Sequence, residues 1–163
     1  MTETSIDFVL LGDIAQAAMA VTRGDMATVQ IVSREGLKLA GSRGIKPDVA
    51  RYFDIVRADE CSCGRVLQTR EPVIVDDVRS SPLFAGAARA KVLEAGTLSV
   101  VSMPILSRQG RLLGVVTPHR RTTGRPDAAA LRRLEWLAGQ AAHVIEGTAS
   151  MSLVRGLELL ARP

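Results

Sequence analysis

Cys61 and Cys63 are the residues best suited to nucleophilic or redox chemistry in this chain. Cys63 is expected at the start of a short helix, where backbone N–H groups favour a thiolate, and Arg57 and Arg65 lie near it in sequence. Such a thiolate could act as a nucleophile or as a redox sensor. The alternative, and the commoner role for a free cysteine, is a small residue buried in the core. A disulfide across one intervening residue would be badly strained, so we expect both thiols to be reduced.

The chain offers few side chains that could bind a metal ion. Cys61, Cys63, His119 and His143 are its only thiol and imidazole groups, and they belong to different predicted elements. The Cys-x-Cys pair also lacks the usual zinc spacing, so we expect no metal site. His119 could meet an anionic ligand, but a polar strand end is the simpler interpretation. His143 shares a helix face with Trp136 and suits an interface better than a catalytic base.

The adjacent carboxylates Asp76 and Asp77 do not suggest an acid–base pair. Neighbouring side chains in an extended segment point to opposite sides. The stretch 76–82 is rich in turn-forming residues, so we expect turn and capping roles for both carboxylates. With no other catalytic constellation in the sequence, we predict no catalytic residues and no enzymatic activity.

Length and charge place limits on the kind of protein. A chain of 163 residues is a comfortable size for one domain, and we predict a single domain over 1–163, with its core at about 5–147. The net charge of +4 comes from scattered arginines, and five aromatics are too few for a base-stacking platform, so nucleic acid is an unlikely partner. Neither a membrane-spanning run nor a secretion signal is found, and we expect a cytoplasmic protein. The richness in arginine and alanine is typical of a G·C-rich bacterial genome.

Two apolar segments, 98–106 and 112–117, form the centre of the predicted fold. A polar turn at Gln109-Gly110 joins them, and their β-branched residues predict an antiparallel hairpin whose last strand ends at Pro118. Both strands are apolar on both faces, so helices or loops must cover each face of the sheet. This predicts an α+β domain. Other patterns predict strands over 26–32 and 37–41, a hairpin expected at the sheet edge, and over 73–75, with helices over 5–22, 47–54, 62–70 (capped by Ser62), 83–96 and 126–147.

The terminal helices carry more apolar surface than one partner needs. The helix over 5–22 has two apolar stripes, and one of them suggests a partner in a second subunit. The helix over 126–147 carries a core stripe and, on another side, Trp136 with the small residue Gly139 one turn later. We therefore predict a homodimer built from the terminal helices. The tail over 148–163 is predicted to be an amphipathic C-terminal extension.

Four stretches in this order resemble the GAF family of small-molecule sensor domains. They are LKLAGSRG at 37–44, CGRVLQTREPVIVDDV at 63–78, SVVSMPI at 99–105 and GRLLGVV at 110–116. The resemblance reaches from about Ala27 to Ile145. It implies a GAF-like (PAS/profilin-like) antiparallel sheet of five or six strands, with the terminal helices on one face. On the other face it implies a ligand pocket under short helices and loops.

The resemblance also implies where a small-molecule ligand would bind. We expect the ligand-binding residues in the lid helix, in the loop and helix that follow it, and on one face of a central strand, because side chains two apart in a strand share a face. The predicted ligand-binding residues are Cys63, Gly64, Val78, Phe84, Ser99, Val101 and Met103. No cofactor is identified, since the bilin-binding cysteine context of phytochromes and the Asn-Lys-x-Asp-Glu-like pattern of phosphodiesterase members are both missing.

The function expected from this resemblance is that of a sensory domain in signal transduction, in which an unidentified ligand changes how the terminal helices pack. One branch of the family, free methionine-(R)-sulfoxide reductase, carries a Cys-Gly phrase like Cys63-Gly64. That branch needs further cysteines that this chain lacks, so a thiol-dependent redox enzyme using Cys63 is the second hypothesis. The third is a ligand-free adaptor that binds a signalling protein and has an empty, collapsed pocket.

Overall fold

The computed structural model describes residues 6–147 and residues 156, 159 and 160. The predicted C-terminal extension over 148–163 lies outside the described residues except at those three positions. In chain order the elements are α1 (Phe8–Thr22), β1 (Met26–Ser33), β2 (Gly36–Arg43), α2 (Pro47–Tyr52), β3 (Ile55–Val56), α3 (Cys61–Thr69), β4 (Val73–Val75), α4 (Gly86–Glu94), β5 (Ser99–Leu106), β6 (Leu112–Arg120) and α5 (Ala128–Ile145).

The strands form one antiparallel sheet in the order β3-β2-β1-β6-β5-β4, which confirms the predicted α+β architecture. Its two middle strands, β1 and β6, pair from Met26–His119 to Ile31–Gly114. The expectation that the β1–β2 hairpin lies at the sheet edge was wrong, because the two-residue strand β3 pairs outside β2. A strand of two residues is too short to produce a periodic signal in the sequence.

The terminal helices α1 and α5 cover one face of the sheet. Each begins at an aspartate that accepts a hydrogen bond from the first turn: Asp7 from the Leu10 N–H at 3.1 Å, and Asp127 from the Ala130 N–H at 2.8 Å. Both apolar stripes of α1 find partners within the chain, because α1 packs against the sheet and against α5. The second stripe of α1 therefore does not by itself require a second subunit.

Short helices and loops cover the opposite face of the sheet. Residues 44–98, here called the lid segment, run between β2 and β5; they include α2, α3 and α4 and contribute the two edge strands of the sheet, β3 and β4. A second apolar core lies between this segment and the sheet; it includes Val66, Val78, Phe84 and Val92. The two cores explain why the central strands are apolar on both faces.

Ser62 does not cap α3 as predicted. The helix begins one residue earlier, and Glu60 occupies the cap position without a side-chain hydrogen bond to the helix. The Ser62 hydroxyl instead accepts a hydrogen bond from Ser102 Oγ at 2.9 Å, inside the protein. A buried hydroxyl partner from β5 thus replaces the local cap, and no local sequence pattern indicates such a partner.

Pro118 does not end β6, which continues to Arg120. Within the sheet Pro118 lies opposite Ala27 of β1. On the other side, β5 and β6 pair at Val100–His119 and again at Met103–Val116, and Pro118 falls between these pairs. The proline therefore sits where a gap in the ladder tolerates its missing N–H.

Candidate functional site

A small cavity lies between the lid segment and the sheet, on the face opposite α1 and α5. Its volume is about 30 Å³, which is room for about one water molecule. The sheet contributes Met26, Thr28, Gln30, Leu39, Thr117 and His119 to the wall of the cavity. The lid segment contributes Ile45, Val49, Ala50, Phe53, Val56, Cys61, Ser62, Cys63, Phe84, Val92, Ala95 and Thr97.

Strand alternation decides which residues of β1 reach the cavity. Thr28 and Gln30 point towards the lid segment, whereas Ala27 and Val29 belong to the core beneath the terminal helices. One face of β1 therefore presents two polar side chains to the cavity, and its other face presents apolar side chains to the core beneath the terminal helices. A displacement of β1 would change the packing of that core.

Four buried side chains, Cys63, Ser62, Ser102 and Thr117, form a thiol–hydroxyl cluster at one end of the cavity. Cys63 Sγ lies 3.2 Å from Thr117 Oγ1 and 3.6 Å from Ser102 Oγ. Thr117 donates to Ser102 Oγ at 3.1 Å, and Ser102 donates to Ser62 Oγ at 2.9 Å. The cluster joins α3 to both strands of the central hairpin and gives these buried polar groups hydrogen-bond partners.

The pKa values of the two thiols shift in opposite directions. The interaction with the Cys61 thiol lowers the pKa of Cys63; burial opposes this effect, and the hydroxyls of Thr117, Ser102 and Ser62 add to it. The same interaction and burial raise the pKa of Cys61. The hypothesis of an acidified Cys63 thus has the right direction, but neighbouring side chains are the cause. Arg65 lies on the exposed side of α3, where it donates to Gln68.

His119 contributes an uncharged imidazole to the cavity. Burial lowers the pKa of His119 to about 4, so the ring is neutral at physiological pH. Its Nδ1 lies 3.2 Å from Thr97 Oγ1, which connects the end of β6 to the last turn of the lid segment. A neutral ring offers no positive charge to an anion, so the structure favours the polar strand end over the anion contact.

Gln30 is the amide residue of the cavity, and the sequence did not single it out. Gln30 is 2% exposed, and its Nε2 donates to the Phe53 carbonyl oxygen at 3.4 Å. The other amide atom, Oε1, is buried and meets no hydrogen-bond partner within residues 6–147. The one amide side chain in the largely apolar strand β1 was the available signal, because a buried amide needs partners for both of its polar atoms.

Among the predicted ligand-binding residues, Cys63 and Phe84 line the cavity. Gly64 lies behind them in α3, where its Cα approaches the backbone of Arg57 so closely that a Cβ would overlap the Arg57 carbonyl oxygen. Val78 is buried in the apolar core under the lid segment and does not reach the cavity wall. The structure therefore assigns packing roles to Gly64 and Val78.

The predicted face of β5 was the wrong one for the cavity. Val101 and Met103 belong to the core beneath the terminal helices, and Ser99 Oγ donates to the Thr122 carbonyl oxygen at 2.6 Å. The residues that face the lid segment are Val100 and Ser102. Alternation groups Ser99, Val101 and Met103 correctly, but a strand that is apolar on both faces gives no sign of which face meets which layer.

The acidic pair behaves as the sequence predicts, since its carboxylates diverge. Asp76 accepts two hydrogen bonds from Arg125, at 3.0 and 2.7 Å, and Asp77 accepts two from the side chain of Arg79, at 2.9 and 2.7 Å. The arginine partners lower the pKa of both carboxyl groups. Both carboxylates have structural partners at the surface and stand outside the cavity wall.

The described residues contain neither a candidate metal site nor a helix that could span a membrane. Over residues 6–147 and the three described positions near the C-terminus, His, Cys, Asp and Glu form no group of three or more that could hold a metal ion. None of the helices described combines the length and hydropathy needed to cross a membrane.

Comparison with known proteins agrees with this architecture. Residues 9–145 match the model of the GAF domain family, while comparison with curated protein sequences finds no significant match. The GAF domain of an Acinetobacter phosphoenolpyruvate-protein phosphotransferase is similar in structure, with a TM-score of 0.69, 17% identity, and coverage of 85% of this chain and 81% of that chain.

Two further solved structures are similar to this chain. A GAF domain/HD domain protein from Geobacter sulfurreducens has a TM-score of 0.64 and 20% identity, over 87% of this chain and 97% of that chain. Free methionine-R-sulfoxide reductase from Neisseria meningitidis, in complex with its substrate, has a TM-score of 0.68 and 20% identity, over 90% of this chain and 81% of that chain. The family match spans most of the chain and both layers around the sheet, and the protein therefore belongs to the GAF domain family.

Proposed function

We propose that this protein is a sensory GAF domain that binds a small molecule between the lid segment and the sheet. The observation that carries the proposal is the position of the cavity: its floor is formed mainly by β1 and β6, whose other faces pack against α1, and β6 also contacts α5. A ligand in this position would touch the same strands that support the terminal helices. We propose the cytoplasm as the site of action and one domain as the extent of the chain.

The coupling would pass through the thickness of the sheet. On β6, Thr117 faces the cavity and the adjacent Val116 packs under the helices. On β1, Gln30 faces the cavity and the adjacent Val29 packs under the helices. Because protein cores are closely packed, a small shift of either strand must be matched by the helices that rest on it. A ligand that favours one arrangement of the lid segment would thereby favour one packing of α1 on α5.

Ligand entry requires the lid segment to move. Pockets for small molecules usually measure about 300–1,000 Å³, which is at least about ten times the present cavity volume of about 30 Å³. The lid helices α2 and α4 are held together by an ion pair between Asp48 and Lys91, at 3.1 Å. We propose that the described arrangement is the closed, unliganded form and that a second, more open arrangement accepts the ligand.

We further propose that the signal reaches a second copy of the chain through the terminal helices. Trp136 on α5 is 51% exposed, and Phe8 and Val9 at the start of α1 are exposed as well. Gly139 lies one turn beyond Trp136 and has open space where a side chain would be. A bulky aromatic beside a small residue is a common basis for close helix packing, and tryptophan is enriched at the centres of interfaces.

Native mass spectrometry of protein purified from cells, compared with a denatured run of the same sample, tests the proposal. A mass excess that disappears on denaturation would support a bound ligand and give its mass together with the subunit count. A dimer without excess mass after ligand screening would favour the third hypothesis, an adaptor with an empty pocket, to which the small cavity volume also points. A signalling protein would then be the partner to capture.

A thiol-dependent redox enzyme remains the second candidate, and the acidified Cys63 thiol is the observation that favours it. In the corresponding reaction the thiol would take the oxygen of a sulfoxide, which leaves a thioether and converts Cys63 to a sulfenic acid. Cys61 is poorly placed to resolve that acid, since a disulfide across one residue is strained. Turnover of free methionine sulfoxide with an external thiol that is lost in Cys63→Ser would favour this candidate; its absence in both proteins would exclude it.

A further inference from the structure

We propose that the ligand of the cavity is a small, uncharged molecule with an apolar body and one hydrogen-bond donor, and that the donor binds Gln30 Oε1. This inference rests on the proposed function, because it concerns the ligand of the same cavity. It makes Gln30 the residue that determines specificity. Three features of the cavity support the proposal: the orientation of the Gln30 amide, the absence of acidic and basic side chains from the wall, and the apolar side chains in the rest of the wall.

The orientation of the Gln30 amide is fixed by its one partner. The Phe53 carbonyl oxygen can only accept a hydrogen bond, so the amide atom facing it, at 3.4 Å, must be the donor Nε2. The opposite orientation would set two acceptors against each other and leave Nε2 without a partner. The atom left over is therefore Oε1, an acceptor that is buried without a partner in the part of the chain described. Only a molecule that donates a hydrogen bond can satisfy it.

The cavity wall carries no acidic or basic side chain. Among the described residues that line the cavity, none is an aspartate, glutamate, lysine or arginine. The imidazole of His119 is kept uncharged by burial, since its pKa is lowered to about 4. The Cys63 thiol, whose pKa is lowered, can supply only a negative charge. An anionic group would therefore lose its hydration shell here without gaining an opposite charge, and a cation is left unpaired wherever Cys63 is protonated; both are strongly unfavourable. The wall thus disfavours anions such as phosphates and zwitterions such as free amino acids.

The rest of the wall is suited to an apolar molecule. Side chains from α2, from the loop before α4, from α4 and from β1, among them Val49, Phe84, Val92 and Met26, line the same cavity as Gln30. Burial of apolar ligand surface supplies affinity, while a single polar group in such a wall sets orientation and specificity. An unsatisfied buried acceptor carries a cost in the unliganded protein, and a matching donor removes that cost.

Three small probes of similar size test the need for a hydrogen-bond donor and for an uncharged ligand separately. Phenol carries a donor, fluorobenzene has nearly the same shape without one, and benzoate carries a negative charge. Binding of each would be measured by NMR titration of the full chain at pH 7, with the Gln30 side-chain amide and the Phe84 ring as reporters. The variants are Gln30→Met, which keeps the length of the side chain, and Gln30→Leu as a second form should the first fold poorly. Gln109→Leu, in the exposed β5–β6 turn, is the matched control.

We expect phenol to bind wild type and the control about tenfold more tightly than fluorobenzene, with benzoate the weakest of the three. In Gln30→Met this preference should fall to near unity. Equal binding of phenol and fluorobenzene to wild type, or tight binding of benzoate, would overturn the inference and leave the ligand cavity intact. Failure of all three probes to perturb the cavity residues would count against the proposed function itself. A long-lived water at Gln30 Oε1 that no probe displaces would show that water completes the site, and would also overturn the inference.

Discussion

Cys63 Sγ and Thr117 Oγ1 lie 3.2 Å apart although 54 positions of chain separate the two residues. The contact joins the first turn of α3, in the lid segment, to β6, one of the two middle strands of the sheet. Both side chains line the cavity. A change in the protonation or oxidation of the Cys63 thiol would therefore act on the lid segment, the sheet and the cavity wall at the same point.

Thr117→Val is expected to raise the pKa of Cys63. The hydroxyl of Thr117 donates to Ser102 Oγ, and it can turn this proton to Sγ when Cys63 ionises; the substitution removes that donor and keeps the branched shape of the side chain. The pH dependence of the Cys63 ¹³Cβ resonance measures the effect. Thr123→Val, in the exposed loop after β6, is the matched control and should titrate as wild type does. An unchanged Cys63 titration in Thr117→Val would contradict the assigned role.

His119 should make the protein less stable in mild acid. Burial lowers the pKa of His119 from its ordinary value of 6.5 to about 4, so below pH 6.5 the unfolded chain binds a proton that the folded chain excludes. This contribution is complete above pH 6.5 and is lost as the pH falls towards 4, by at most about 3 kcal/mol. Urea unfolding at several pH values measures it. His119→Gln should flatten the profile over this range, and an equally steep profile in this variant would contradict the role of His119.

Two Gly→Ala substitutions should have opposite effects on stability. In Gly64→Ala the new methyl group would overlap the Arg57 carbonyl oxygen, so the turn before α3 must shift, and we expect a loss of about 1–3 kcal/mol. In Gly139→Ala, in the middle of α5, the methyl group meets open space within one protomer, and higher helix propensity should stabilise the protein by up to about 1 kcal/mol when tested in the monomeric Trp136→Lys background, away from the proposed helix interface. Chemical denaturation of both variants provides the comparison. Equal effects would mean that the close approach at Gly64 is relieved at little cost.

Trp136→Lys should convert the proposed dimer into a monomer. Trp136 is 51% exposed on α5, and a lysine in its place would put a charge at the centre of the proposed helix interface. Sedimentation velocity over a range of concentrations measures the change. Tyr52→Lys is the matched control, because Tyr52 is an aromatic of similar exposure, 45%, on the lid side. Wild type that sediments as a monomer, or a variant that stays dimeric, would rule out this interface.

Most of the fold could be predicted because its elements are long and their patterns agree. The β5–β6 hairpin, α1 and α5 were all found from apolar periodicity, and turn residues such as Gly110 marked the connections. β3 was missed because two residues carry no periodic pattern. The predicted end of β6 at Pro118 was wrong because a gap in the pairing with β5 is not visible in the local sequence.

The candidate site could be predicted only in part. Of the predicted ligand-binding residues, Cys63 and Phe84 line the cavity, whereas Val101 and Met103 lie in the core on the other side of the sheet. Face assignment needs a polar side to mark the solvent, and β5 has none among its buried residues apart from serines. Gln30 was overlooked because its significance depends on an unpartnered oxygen, which only the folded arrangement reveals.

The lid segment, with its edge strands β3 and β4, is one continuous insertion between β2 and β5. The remaining elements form a frame in which α1 packs mainly on β1 and β2 and α5 packs on β5 and β6, so the beginning and the end of the folded part lie against adjoining strands of one sheet. The lid segment supplies most of the cavity wall, whereas the frame supplies its floor, including Gln30. Substitution within 44–98 can therefore reshape the cavity while the packing of α1 and α5 is kept and Gln30 retains its proposed polar contact.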